Sequence, residues 1–250
     1  MSAAPPRRRG SLVLVSLLAV AAFAVLVGLG TWQLERLAWK EALIAAVDAR
    51  LAAAPEPAPP PPWDGADLAD VDYRRVTVVG RFLPQEAFVY TILSDARGPL
   101  AGPGYWVVSP FETDAGWLVL VNRGFVPVDG RGPAARPPAP DGPTTLEGVV
   151  RGADPPGLFT PAPDRAGRIW YVRDAGELAP AFHLPAGRPL APFTIDAVAA
   201  ETPAGGVPQA GETRTVFPNS HLQYAVTWYG LAAALVAVFG VFAARLRERR

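Results

Sequence analysis

His183 and His221 are the only imidazoles in this chain of 250 residues, which has no cysteine and a single methionine, at position 1. That inventory excludes disulfides, thiolate nucleophiles, Fe–S clusters, covalent c-type haem attachment and zinc ribbons. It also excludes a copper site built on internal sulfur ligands. The patterns G-x-S-x-G, H-E-x-x-H and G-x-x-x-x-G-K-[ST] are missing, so a nucleophile elbow, a zinc protease helix and a phosphate loop are not available. Ser109 and Ser220 have no context that marks a nucleophile, and Glu112, Asp114, Asp129 and Glu147 fall near turns or strand ends, where a solvated role is expected. The residue types predict a protein that is not an enzyme.

Polar and aromatic residues concentrate instead in two stretches, Gly30-Thr-Trp-Gln-Leu-Glu-Arg-Leu-Ala-Trp-Lys40 and Pro218-Asn-Ser-His-Leu-Gln-Tyr-Ala-Val-Thr-Trp-Tyr229. At helical spacing Trp32, Arg36 and Lys40 share one face, and His221, Tyr224, Ala225 and Trp228 share another. One chemistry that uses these types together is haem binding: an imidazole on iron, aromatic rings against the macrocycle, and Arg or Lys on the propionates. Two plainer roles stand beside it. An aromatic belt with snorkelling cations accounts for Trp32, Trp228, Tyr229 and Lys40, and His221 can serve as a cap or hydrogen-bonding group of its helix. Asn219 is placed to cap that helix.

The elements that position these stretches are two apolar segments. Ser11–Leu34, about 24 residues, and Leu222–Ala244, about 23, carry no charge, and about 20 helical residues cross a hydrocarbon core of roughly 30 Å. The first run is too long for the apolar part of a signal peptide, and no small-residue cleavage pattern precedes Trp32, so an uncleaved anchor is expected. Arg7, Arg8 and Arg9 precede the first segment; Arg245, Arg247, Arg249 and Arg250 follow the second. The positive-inside rule puts both termini in the cytoplasm. Of 23 basic and 23 acidic residues the tails take a net +3 each (Glu248 counted), which leaves about −6 between them. That neutral total with an acidic middle argues against nucleic acid. Gly28 and Gly30 are expected where the two helices approach closely.

Past the first segment, Leu34, Leu37, Ile44, Val47 and Leu51 keep a helical period, and nothing breaks it before Pro55, where a run of prolines begins. From Tyr73 the period changes to two: Val76, Val78 and Phe82, then Phe88, Tyr90 and Ile92. Tyr105–Phe111 and Trp117–Phe125 flank a Gly-containing turn and predict a hairpin; Thr144–Arg151, Arg168–Arg173 and Pro192–Ala197 are further strand candidates. Arg131–Pro143, Asp154–Arg165 and Glu201–Glu212 read as loops. The resulting expectation is a membrane protein with two transmembrane helices at the chain ends bracketing one external, mainly antiparallel β domain, a small barrel or sandwich. Its parts are a cytoplasmic tail (1–10), transmembrane helix 1 (11–34), a helical extension (35–54), an extracytoplasmic β domain with Pro-rich loops (55–220), transmembrane helix 2 (221–244) and a basic cytoplasmic tail (245–250).

Six stretches together resemble the Surfeit-locus (Surf/Shy) family of cytochrome c oxidase assembly factors. They are Leu29-Gly-Thr-Trp-Gln-Leu-Glu-Arg36 with Lys40; Tyr73-Arg-Arg-Val-Thr-Val-Val-Gly80; Gly104-Tyr-Trp-Val-Val-Ser-Pro110; Leu118-Val-Leu-Val-Asn-Arg-Gly-Phe-Val-Pro127; Leu146-Glu-Gly-Val-Val-Arg151; and Pro218-Asn-Ser-His-Leu-Gln-Tyr-Ala-Val-Thr-Trp228. Asp154–Glu212 matches poorly apart from Arg168–Asp174, and Phe125 stands where many relatives carry Trp. The resemblance implies a non-enzymatic helper of haem–copper oxidase assembly in the cell membrane, binding haem a or assisting its insertion into the oxidase large subunit. It implies that subunit, the bilayer and the haem a synthase as partners. It also implies His221 as the haem-iron ligand; depth, helix face and residue chemistry then place Trp32, Tyr224 and Trp228 along the macrocycle and Arg36 or Lys40 on a propionate. The alternatives are a cofactor-free chaperone of the same subunit and, further off, a tethered envelope enzyme using external carboxylates.

Overall fold

The computed structural model describes residues 7–63, 68–132, 136–213, 215 and 217–248. Parts of the expected tails (1–6, 249 and 250) and of the 131–143 loop (133–135) lie outside them. The chain divides into a helical unit, Met1–Ala46 with Val216–Arg250, and a β unit, Val47–Thr215.

The helical unit holds most of α1 (Arg7–Ala52) and all of the last helix, α4 (His221–Glu248). Both are long and apolar enough to cross a bilayer. Val13, Leu14, Leu17, Val20 and Val25 on α1, and Val226, Val236, Val238 and Val241 on α4, lie exposed. Backbone groups are satisfied inside each helix, so such apolar surfaces are stable against lipid. The chain is a two-pass membrane protein. Small residues make the interhelical contact: Gly30, Ala225 and Ala232 are buried. Gly28, expected at that contact, is exposed, and nothing lies within 4 Å of a Cβ built on it. The reason is phase: two residues of helix turn the chain by about 200°, so Gly28 and Gly30 face opposite ways.

The β unit begins with the last turn of α1, where Val47 is buried and Arg50 donates to the carbonyls of Ala69 (2.8 Å) and Asp72 (3.1 Å). Its elements are β1 (Glu56–Pro57), α2 (Leu68–Val71), β2 (Arg75–Phe82), β3 (Ala87–Leu93), β4 (Gly102–Thr113), β5 (Leu118–Pro127), β6 (Thr144–Arg151), β7 (Ile169–Trp170), α3 (Ala175–Leu178) and β8 (Leu190–Ala197). Strands β2, β6, β8, β5 and β4 lie in that order, and β4 pairs back to β2 through Gly80↔Thr113, Arg81↔Glu112 and Phe82↔Phe111. The result is a five-stranded barrel, with β3 and β7 extending from β4 and β1 from β2.

Most pairings are antiparallel, but β8 joins β5 in parallel, from Leu118↔Leu190 to Asn122↔Asp196. Val76, Val78, Phe111, Val119, Val121, Val150, Phe193 and Ile195 belong to one core cluster. The opposite faces of β4 and β5 pack under β3, β7 and α3, where Val108 and Leu120 meet Val89, Trp170 and Leu178. Covered on both faces, β5 is buried from Leu118 to Val126, which is why it reads as a nearly unbroken apolar run. Of the candidate strand Arg168–Arg173 only Ile169–Trp170 pairs. Arg168 has a φ of 54°, and Asp174 caps α3 by accepting from the Glu177 N–H at 3.0 Å.

Candidate functional site

In the helical unit, α4 starts where its first backbone donors find partners. Asn219 Oδ1 accepts from the His221 N–H over a long 3.4 Å, and the Tyr224 N–H closes onto the Ser220 carbonyl at 3.2 Å. This fixes His221 at the head of the helix with its ring half-buried. The His221 Nδ1 lies 2.7 Å from Oε1 of Gln33 on α1. Gln33 is 9% exposed although it follows an apolar run. About two turns further along α4, the Tyr229 hydroxyl lies 3.0 Å from Thr31 Oγ1. The contact therefore uses Gly30 and Gln33 of α1 and His221, Ala225, Tyr229 and Ala232 of α4, spaced at three and four residues.

The residues expected around His221 fall at the edges of this contact. Tyr224 is exposed and Trp228 half-buried, on one flank of α4. Trp32 is 51% exposed, on a side of α1 turned away from Gln33. Arg36 stacks its guanidinium 4.4 Å from the ring centre of Trp39, and the Lys40 ammonium sits 5.1 Å from that of Phe217. Among the described residues neither cation pairs with a carboxylate. So the structure brings His221 to Gln33, Arg36 to Trp39 and Lys40 to Phe217, and leaves Trp32 outside these contacts. The donor types fit a haem: a half-buried imidazole with one nitrogen engaged, Tyr224 and Trp228 about one and two turns further along the same helix, and two cations without a carboxylate partner among the described residues. Gln33 and its role were missed by sequence reasoning. Its signal was a polar side chain three residues from Gly30, on the same helical face.

Several carboxylates of the β unit are ion-pair partners. Glu112, expected to be solvated, is buried at the barrel seam, where Arg81 (2.7 Å) and Arg188 (3.1 Å) pair with it. Closure of β4 onto β2 covers it, and strand periodicity carries no sign of that closure. Glu147 pairs with Arg75, while Asp114 and Asp129 are exposed. Asp196 accepts two bonds from Arg173 (2.8 and 2.9 Å) and one each from Asn122 and Thr213 (3.0 Å). Burial alone would push the Arg173 guanidinium down, but Asp196 and then Asp154 more than offset it and hold it above its ordinary value. A cleft of about 550 Å³ runs past Asp48, Arg75, Arg97, Glu212 and Thr215. Its buried carboxylate, Glu212, is satisfied by the N–H groups of Arg97 and Gly98 and by the Gln209 amide. His183 is exposed.

A model of the SURF1 family matches residues 20–233, taking in both helix-end stretches and the whole β unit. The chain belongs to the SURF1 family. Relatives agree over most of its length. It is 36% identical over 246 residues to a SURF1-like protein of Monosiga brevicollis, covering 95% of this chain and 90% of that one. It is 37% identical to Surfeit locus protein 1 of Rattus norvegicus and of Homo sapiens, over 83% of this chain and 68% and 70% of theirs. Among the described residues the two helix-end stretches meet through two polar contacts, Gln33 with His221 and Thr31 with Tyr229.

Proposed function

We propose that this SURF1-family protein is a non-enzymatic assembly factor for haem–copper cytochrome c oxidase that holds haem a, or assists its insertion into the oxidase large subunit. The observation that carries this reading is His221, a half-buried imidazole at the head of a membrane helix with one ring nitrogen engaged and aromatic neighbours on its flank. Bound there, haem a supplies an iron that seeks a nitrogen ligand and propionates that seek cations. His221 would hold the iron, and Tyr224 and Trp228 on the same helix would supply aromatic surface. Arg36 and Lys40, with no carboxylate partner among the described residues, supply the positive charge. The β unit lies on the extracytoplasmic side of the cell membrane with both termini in the cytoplasm, a topology supported by the arginines at both ends. Partners are the oxidase large subunit and the haem a synthase.

A cofactor-free chaperone of the same subunit is the competing reading, and one observation favours it: the bond to Gln33 is itself a reason to keep a histidine at 221. Protein purified in detergent from a haem-a-producing host separates the two. Haem a content per folded protein is compared between wild type, His221→Ala and Lys40→Ala. Loss confined largely to His221→Ala supports axial ligation. Full retention in His221→Ala, or no haem a band in wild type, leaves the chaperone.

A further inference from the structure

We infer that Gln33 is a positioning residue for His221: it holds the imidazole in the Nδ1–H tautomer and thereby presents Nε2 as the ligating nitrogen. The iron half of this inference rests on the proposed haem function; the tautomer half does not. An amide oxygen only accepts hydrogen bonds, so His221 Nδ1, 2.7 Å from Gln33 Oε1, is the donor. A neutral imidazole carries one N–H, which leaves the lone pair on Nε2.

The arrangement is fixed from both sides. Gln33 is buried on the face of α1 that meets α4, one turn from Gly30, and its bond to His221 is part-buried. A polar side chain there is costly unless partnered, and His221 is the partner. On the other side, Asn219 Oδ1 holds the His221 backbone N–H. Histidines that bind metal through one nitrogen usually donate the other N–H to a carbonyl or carboxylate, which sets the tautomer and raises ligand basicity. The Gln33–His221 pair has that form.

The test reads the tautomer directly, on the full-length protein without haem. The chain has two histidines, so His183→Gln in ¹⁵N-labelled protein in nanodiscs leaves His221 as the only imidazole seen by NMR. Wild type at 33 is expected to show an Nδ1–H, Nε2-bare ring. Gln33→Leu, which removes the acceptor at similar size, is expected to move the ring toward Nε2–H, and Gln33→Glu, which keeps an acceptor, to retain Nδ1–H. In haem a titrations Gln33→Leu is expected to lose roughly 10- to 100-fold in affinity, with Gln33→Glu close to wild type and its reduction potential lowered. An Nε2–H ring in wild type, or an unchanged Nδ1–H ring in Gln33→Leu, overturns the inference whatever haem does. An Nδ1–H wild type that takes up no haem a overturns the iron half and, separately, the proposed function. Thermal unfolding of each variant keeps misfolding from passing as either result.

Discussion

The ring of Tyr229 occupies the space that a side chain at Gly30 would need: a Cβ built on Gly30 would stand 2.9 Å from both Cε1 and Cζ of that ring. The same tyrosine hydroxyl meets Thr31 Oγ1 at 3.0 Å. Gly30→Leu therefore has to displace the ring and break that hydrogen bond. Overpacking of this kind costs about 1–3 kcal/mol, which thermal unfolding in detergent should register as a clear loss of Tm. Gly28→Leu, on an exposed face with nothing within 4 Å, should be silent. Equal effects from the two would mean that loss of glycine itself, rather than the contact, is what matters.

The barrel seam makes a parallel demand. A Cβ on Gly80 would lie 2.1 Å from the Glu112 carbonyl oxygen, a backbone atom that cannot rotate aside. Gly80→Ala should destabilise the β unit by at least about 1–3 kcal/mol in denaturant unfolding. Gly152→Ala, where a Cβ meets nothing within 4 Å, serves as the control. A stable Gly80→Ala protein would show that β4 does not close onto β2 at this register.

The two-helix frame and most strands were legible from simple signals: long uncharged runs for α1 and α4, alternation for β2 and β3, and apolar runs flanking a Gly-containing turn for β4 and β5. Direction and closure were not. Nothing in Pro192–Ala197 says that β8 will run parallel to β5, because a strand's alternation is the same read either way. Nor does Glu112 next to a turn announce that a barrel seam will bury it between Arg81 and Arg188. At the helix ends, facing positions were read from residue chemistry, which drew attention to Trp32 and Arg36. Packing is set by size and phase, and those select Gly30, Gln33 and Ala225.

Tyr73 gives the β unit a pH signature. Burial raises its phenol above the ordinary 10.0, with Arg151, 4.1 Å from the ring centre, pulling the other way. With the folded value above the unfolded one, the folded state keeps its proton longer. The contribution is thus complete below the unfolded pKa and is lost as pH rises through the folded one. Stability should hold level up to about pH 10 and then fall, and Tyr73→Phe should flatten part of that fall. An identical alkaline slope in wild type and Tyr73→Phe would remove Tyr73 as its source.

Topology can be read without disturbing any native thiol, since the chain has none. Leu158 and Phe159, 92% and 91% exposed in the Asp154–Arg165 loop, offer a labelling position in the β unit, and Glu248 offers one at the end of α4. Leu158→Cys in intact cells should react with a membrane-impermeant maleimide from outside, and Glu248→Cys only after the membrane is opened. The opposite pattern would invert the orientation inferred from the terminal arginines.

Arg36 and Lys40 carry the remaining prediction, and it separates charge from packing. Each cation rests on an aromatic ring rather than on a carboxylate, Arg36 on Trp39 and Lys40 on Phe217. Each can therefore turn to an incoming anion without breaking an ion pair. Arg36 is exposed, and an exposed pair of charges contributes about 0.2–1 kcal/mol. Arg36→Ala should thus weaken haem a binding only a few-fold, against near-complete loss for His221→Ala. The effect should depend on ionic strength, because such pairs are screened over roughly 10 Å at 0.1 M salt. It should also vanish for haem a whose propionates are esterified, since the ester has no charge for the guanidinium to meet. If Arg36→Ala costs the same with the ester as with the free acid, Arg36 acts through its packing on Trp39, and the propionate role falls to Lys40 or to neither.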